Sequence, residues 1–260
     1  MGRYLLKRLG VALLLVFVVS SAALVLARFA PGDFVAVEGA SLTEDQRAAL
    51  RHDLGLDRSF ASQYISWMAG AMRLDFGQSL LYSRPVSTLI GERALNTAVL
   101  ATAALLIATV IGIPLGIYSG TRSGMSRAVV KTVTTVGVSV PPLIGSLVLV
   151  FIAARTGWFP VGGMSSPIGI EMTWAQWLAD LARHLPMPAL ALAIPLAATL
   201  EKLQSESIEA STLEPFVAAS RARGVSTLRA ILRHAWPASL RPVLGLYGLM
   251  IGSLFSGSFV

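Results

Sequence analysis

Five long apolar runs restrict this chain more than anything else in it. They are Leu9 to Ala27, Leu95 to Tyr118, Val129 to Ala154, about Leu185 to Leu200, and Ala238 to Val260. A membrane helix needs roughly 18 consecutive apolar residues, and in hydrocarbon its backbone groups must be satisfied within the segment. The fourth run is slightly short and contains Pro186, Pro188 and Pro195. Composition agrees with the runs. The chain is 54% hydrophobic and 13% charged, with a mean hydropathy of +0.68, whereas a soluble domain carries about 25% charged residues. The expected fold is all-α, a polytopic bundle of membrane helices. The first run follows a basic "GRYLLKR", yet at about 19 residues it exceeds the 7–15 of a signal peptide's apolar region. It is expected to be a retained span. The fifth run reaches Val260 with no polar flank. A carboxylate there would sit in hydrocarbon at high cost, so we expect a chain truncated relative to a longer parent.

The net charge of +7 would suggest a nucleic-acid partner in a soluble protein. In a membrane chain the placement of charge matters more, because basic residues collect on the cytoplasmic side. With the N-terminus inside, the inner segments hold Arg3, Lys7, Arg8, Arg122, Arg127, Lys131, Lys202, Arg221, Arg223, Arg229, Arg233 and Arg241. The outer segment from Pro31 to Arg93 then has a net charge of −2, six arginines against eight acids. No run carries an ionisable residue at its centre, the usual mark of ion-coupled transport. An ion gradient is therefore not the expected energy source. The absence of cysteine excludes disulfides and thiolate metal sites.

Three divisions are expected: residues 1–30 as N-terminus and first span, 31–93 as an external segment, and 94–260 as the membrane core. In the external segment Thr43 and Gln46 form a capping box, and Gly55 stops the helix they begin. A second helix follows Ser59, with Phe60, Tyr64, Trp67, Met68, Ala71 and Met72 on one face. This stripe is read as packing rather than as a ligand site. Trp158, Trp174 and Trp177 are read as interfacial anchors. "IGIPLG" (Ile111 to Gly116) and "GVSVPPLIGS" (Gly137 to Ser146) put small residues and prolines inside spans, which permits close helix packing and kinks.

The stretch "FVAASRARGVSTLRAILRHAWP", Phe216 to Pro237, interrupts this apolar pattern. Pro215 suits a first helical turn, and Thr212 is a candidate cap. Gly224 suits a helix stop at positive φ, and Ser226 is placed to cap a second helix. In that helix Leu228, Ile231, Leu232 and Ala235 share an apolar face, with Arg229 and Arg233 opposite. Three readings remain open here: a basic loop on anionic lipid, a helix-turn-helix for DNA, and a docking hairpin for a cytoplasmic partner. Tethering at both ends weighs against DNA, and no nucleic-acid partner is expected.

This stretch resembles the cytoplasmic EAA loop of ABC-importer permeases. That loop reads Glu-Ala-Ala, three residues, Gly, nine residues, then Ile-x-Leu-Pro. Ala218, Ala219 and Ser220 fill the first places, Gly224 the glycine, and His234 to Pro237 the last. Only Ala219, Gly224 and Pro237 match letter for letter. Phe216 and "SRARG" (Ser220 to Gly224) are closer to the dipeptide, oligopeptide and nickel permeases. The ordered tags "YLLKRLG", "APGD", "LGLD", "DFGQSL", "RPV" and "GIPLG" are similar to the B-type permease of such systems.

The resemblance implies a type I importer permease with a sixth span beyond the five seen, located in a bacterial cytoplasmic membrane. It also implies half of a translocation pore for a peptide-like substrate. The implied partners are a second permease, two ATP-binding cassette subunits, an external substrate-binding protein and membrane lipid. ATP and magnesium would be bound by the ATPases, with no cofactor on this chain. The 206–237 loop would couple to the ATPase through Glu214, Phe216, Val217, Ala218, Ala219, Ser220, Arg221, Ala222, Arg223, Gly224 and Pro237. Phe216 and Val217 would supply apolar contacts, and Arg221 and Arg223 polar ones. No G-x-x-x-x-G-K-[ST] occurs, so hydrolysis must come from a partner. His52, His184 and His234 fall in separate segments and are not expected to bind metal. The alternative is a non-transporting membrane anchor or assembly subunit. A membrane-embedded enzyme would need catalytic groups that the spans lack.

Overall fold

The computed structural model describes residues 2–29, 35, 42–164 and 173–257. The "APGD" tag and the last three residues of the fifth run lie outside them. Among the described residues the regular secondary structure is all helical, with turns and loops between the helices and one isolated bridge, Gln78 with Pro85. Three helices are long and apolar enough to cross a membrane, or up to five if each of two bent pairs is one span. The protein is thus a polytopic helical membrane protein.

Contacts divide the chain into two compact units, residues 1–91 and 92–260. In the first unit, α1 (Gly2–Phe29) contains the first apolar run, and its side chains are almost all exposed. Helix α2 (Glu44–Asp53) begins at the expected capping box. The Gln46 amide donates to Thr43 Oγ1 at 3.4 Å, and Thr43 N–H donates to Gln46 Oε1 at 3.0 Å. Gly55 follows at φ +65°. In α3 (Phe60–Met72) the rings of Phe60, Tyr64 and Trp67 stack in sequence, and Tyr64 Oη lies 2.8 Å from Ser21 Oγ on α1. The stripe therefore packs, apart from Met72, which is exposed.

The second apolar run becomes α4 (Val86–Thr121), which continues through Pro114. The third run is not one straight span. It breaks into α5 (Met125–Ser139) and α6 (Pro142–Thr156), bent by 98°. The cause is Pro141–Pro142: neither residue donates an N–H, and the residue before a proline avoids the helical region. Val140 is indeed extended, at φ −76°, ψ 118°. Helix α7 (Trp174–His184) leads through a 48° bend into α8 (Pro186–Thr212). At 27 residues α8 is about 40 Å long, well past the expected end at Leu200. The last run forms α11 (Trp236–Gly257).

Helix α8 is the centre of the second unit, packed against α5, α6 and α11. Its core joins Ala104, Ala108 and Ile113 of α4 to Ala193, Ala197 and Leu200 of α8 and Val243 and Met250 of α11. Glycines four apart on α4 allow the closest approach. A Cβ on Gly112 would lie 2.6 Å from the Ala197 carbonyl oxygen, and one on Gly116 would lie 2.6 Å from Gln204 Cβ. A Cβ on Gly120 would collide with the Ser205 carbonyl and Ile208. Small residues were expected to serve close packing, and here α8 backbone fills the space a side chain would need.

Candidate functional site

The interrupting stretch folds as a hairpin between α8 and α11. Helix α9 (Pro215–Ala222) has Pro215 in its first turn and Glu214 at the N-cap. Thr212 does not cap it, because its hydroxyl donates to the Glu209 carbonyl at 2.7 Å and so finishes α8. Gly224 turns the chain at φ +88°, with the Gly224 N–H donating to Arg221 O at 2.9 Å. A side chain there would meet no atom within 4 Å, so the backbone angle alone requires glycine. Ser226 occupies the next N-cap, but its side chain makes no capping bond. Helix α10 (Thr227–Ala230) follows and opens into a π-helical turn over Ile231–Ala235. That wide turn sits just before Pro237, whose ring would otherwise crowd the carbonyl four residues back.

The wide turn changes which residues face inward. The buried floor is Val217, Ala230 and Ala235 against Ile208 of α8, with Ile117, Val225, Ile231 and Trp236 packed around it. Leu228 and Leu232, expected in that floor, are instead 68% and 44% exposed. Ala230 and Ala235, five apart, share the inward face because the π turn adds a residue to the repeat between them.

Among the residues singled out in the sequence, Val217 and Ser220 point inward and are buried. Glu214, Phe216, Ala218, Ala219, Arg221, Ala222, Arg223, Gly224 and Pro237 are exposed. Phe216 is thus the outward apolar group, and Val217 anchors the hairpin from beneath. Leu213, Leu228 and Leu232 are exposed like Phe216, as are Arg229 and Arg233. Sequence reasoning passed over Leu213, which sits at a helix junction where periodicity gives no signal. The hairpin can offer apolar contacts rimmed by guanidinium groups, the composition of a protein–protein contact.

Above the hairpin, polar groups are buried in the bundle. Glu201 of α8 is 1% exposed. Its carboxylate accepts hydrogen bonds from Ser119 Oγ of α4 and, at 2.8 Å, from Thr134 Oγ1 of α5. Gln204 Nε2 donates to Ser239 Oγ of α11 at 2.8 Å. Closer to the hairpin, Arg127 Nη2 pairs with Glu209 Oε2 at 2.6 Å, joining α5 to α8. A buried carboxylate was not expected, since the apolar run was taken to end at Leu200. No group of three or more His, Cys, Asp or Glu arranged to hold a metal occurs among the described residues.

Comparison with known proteins bears on this arrangement. Residues 112–260 match the family described as the inner membrane component of binding-protein-dependent transport systems. Residues 1–101 match the N-terminal part of the membrane component of such systems. The chain is 30% identical to a probable peptide ABC transporter permease of Sinorhizobium fredii, over 99% of this chain and 81% of that protein. It is 32% identical to a dipeptide transport system permease of Lactococcus lactis, over 99% of this chain and 80% of the relative. An oligopeptide transport system permease of Bacillus subtilis is 27% identical over 100% of this chain and 82% of its own length.

Proposed function

The chain belongs to the inner-membrane components of binding-protein-dependent transport systems, and on that premise we propose that it forms half of the pore of a peptide importer. It is a multi-pass, non-catalytic permease subunit of the ABC transporter class. The substrate is peptide-like, as the names of its relatives suggest. Its N-terminus lies in the cytoplasm, a reading supported by the distribution of lysine and arginine. A second permease completes the pore. Two cytoplasmic ATPases supply the energy, and an external binding protein delivers the substrate.

One observation carries the coupling role. The hairpin is seated on α8 and α11 through a buried floor, while Phe216, Leu213 and the arginines remain outside. A body seated this way moves with the helices beneath it, so a partner gripping its outer side moves α8 and α11. Rigidity comes from the floor, since neither hairpin helix has a side-chain cap.

The test is purification in mild detergent with identification of bound proteins, followed by peptide uptake in proteoliposomes. The expected result is an ATPase bound to wild type. Gly224→Val should reach the membrane but lose at least tenfold in ATP-driven uptake, because a β-branched residue resists positive φ. Wild-type uptake by that variant would refute the coupling role. Recovery of the chain with neither ATPase nor second permease would favour the non-transporting anchor.

A further inference from the structure

A cavity of about 300 Å³ opens between α5 and α8, and its mixed walls set charged and hydroxyl groups beside Val138 and Ala198. Lys131, Thr134 and Thr135 line it from α5, and Glu201, Lys202 and Glu206 from α8. Glu206 lies eight residues before the hairpin's Glu214, so the cavity is about 12 Å along α8 from the hairpin.

Charged groups of both signs meet in this cavity: Lys202 and Glu206 are exposed, and Lys131 also lies near enough to Glu209 to favour its charged form. Lys131, Lys202 and Glu206 form no ion pair among the described residues, although Lys202 and Glu206 stand at a spacing that permits one. Glu201, at the floor, is held by two hydroxyls and has no cation within ion-pair distance. A carboxylate buried without a counter-charge is costly and marks a functional position. Two ammonium groups and two carboxylates make the cavity neutral overall. A lone anion or cation would leave part of this set uncompensated. A ligand carrying both an ammonium and an anionic group satisfies it.

Resting on the importer reading above, we propose that this cavity is a substrate subsite for the charged ends of a short peptide. The peptide ammonium meets Glu201 and Glu206. Its terminal carboxylate meets Lys131 and Lys202, with Thr135 available to the backbone. A phosphoethanolamine headgroup has the same pair of charges, and a peptide is distinguished from it by its carboxylate. Since α8 carries both this cavity and the hairpin, movement of the hairpin would open or close the subsite.

The test measures binding to the purified complex with three probes: alanyl-alanine, its N-acetyl derivative and its C-terminal amide. Wild type is expected to bind the free dipeptide at least tenfold more tightly than either capped form, as charge-assisted hydrogen bonds require. Glu201→Gln keeps an acceptor for one of the two hydroxyls and offers its amide N–H to the oxygen of the other, and it should lose the preference against the acetylated probe. Lys202→Gln, at an exposed rim position, should weaken the preference against the amide. Equal binding of all three probes to wild type, or none, would overturn the subsite. Equal competition by phosphoethanolamine would reassign the cavity to lipid and overturn the peptide proposal. If both variants keep wild-type selectivity while ATP-driven uptake persists, the subsite fails and the permease reading stands. If wild type shows no ATP-driven uptake, the permease reading itself fails.

Discussion

Placing an alanine on the glycine seam of α4 tests the packing directly. At Gly116 the new Cβ would lie 2.6 Å from Gln204 Cβ and 2.8 Å from the Glu201 carbonyl oxygen. At Gly120 the obstacles are the Ser205 carbonyl and Ile208. Carbon contacts relax to about 3.5–4.0 Å, so α4 and α8 must part by roughly 1 Å. Because the blocking atoms include α8 backbone, a rotamer change cannot relieve the clash. Overpacking of this kind costs about 1–3 kcal/mol. Replacing a helical glycine by alanine returns about 1 kcal/mol of helix propensity. The net expectation is a loss of up to about 2 kcal/mol for Gly116→Ala and Gly120→Ala. Gly245 of α11 supplies the control, because a Cβ there meets nothing within 4 Å. Gly245→Ala should be neutral or stabilising by up to about 1 kcal/mol. The assay is equilibrium unfolding of the full chain in mixed micelles by titration with a denaturing detergent. If the seam variants and the control shift in the same direction by the same amount, close approach is not what these glycines provide.

Three further outcomes follow from the buried and paired charges. Glu201→Leu should leave stability within about 1 kcal/mol of wild type or raise it. Its hydroxyl partners also reach carbonyls on their own helices, Thr134 Oγ1 to Val130 O at 3.0 Å and Ser119 Oγ to Gly116 O at 3.4 Å; a loss above 2 kcal/mol by the same unfolding assay would contradict this. A double-mutant cycle on Arg127 and Glu209, whose side chains are 28% and 44% exposed, should give a coupling of about 0.2–1 kcal/mol that shrinks in 1 M salt. In the external segment, His52 Nδ1 lies 2.8 Å from Asp57 Oδ2. The hydrogen bond to Asp57, then the Asp57 charge, raises the imidazole above 6.5, and the same hydrogen bond, with the His52 charge, lowers the Asp57 carboxyl below 3.8. The histidine's contribution is complete below pH 6.5 and is lost as pH rises through the raised value. The aspartate's contribution is complete above pH 3.8 and is lost as pH falls through the lowered one. An NMR titration should therefore show the His52 midpoint falling in Asp57→Asn.

The apolar runs, the Thr43–Gln46 capping box and the Gly224 turn were legible because each is a local property of the chain. Length against bilayer thickness identifies a span, and side-chain reach identifies a cap. What failed to show depends on partners distant in sequence. Pro141–Pro142 announced a kink, but its 98° bend depends on how α5 and α6 pack on α8. Glu201 ends an apolar run like any flanking acid, and only Ser119 and Thr134 from two other helices make it a buried group. Leu228 and Leu232 read as floor residues under regular helical spacing. In the structure Ala230 and Ala235, five apart across the π turn, meet Ile208 instead, and both leucines are exposed. Val217 read as an outward contact because no spacing rule within an eight-residue helix says which side meets Ile208.

These long-range features converge on one helix. The seam of α4 glycines fixes α8 along the backbone stretch from Ala197 to Ile208. Within that stretch stands Glu201, with the cavity beside it, and beyond Thr212 the chain enters the hairpin. The contacts along the seam are close-packed, and a close-packed interface shifts between discrete arrangements rather than stretching. A force on the hairpin therefore cannot be absorbed by bending between Ile208 and Gly224, because Val217 is seated on Ile208 itself. It must be taken up elsewhere along the bundle. The bend at Leu185, where α7 meets α8 at 48°, and the broken α5–α6 pair are the places where the helices already depart from straight, and there a small change of angle can take up the movement. Enlarging a residue of the seam and stiffening one of these bends should thus have opposite signatures. The first lowers stability, and the second leaves stability intact while slowing transport.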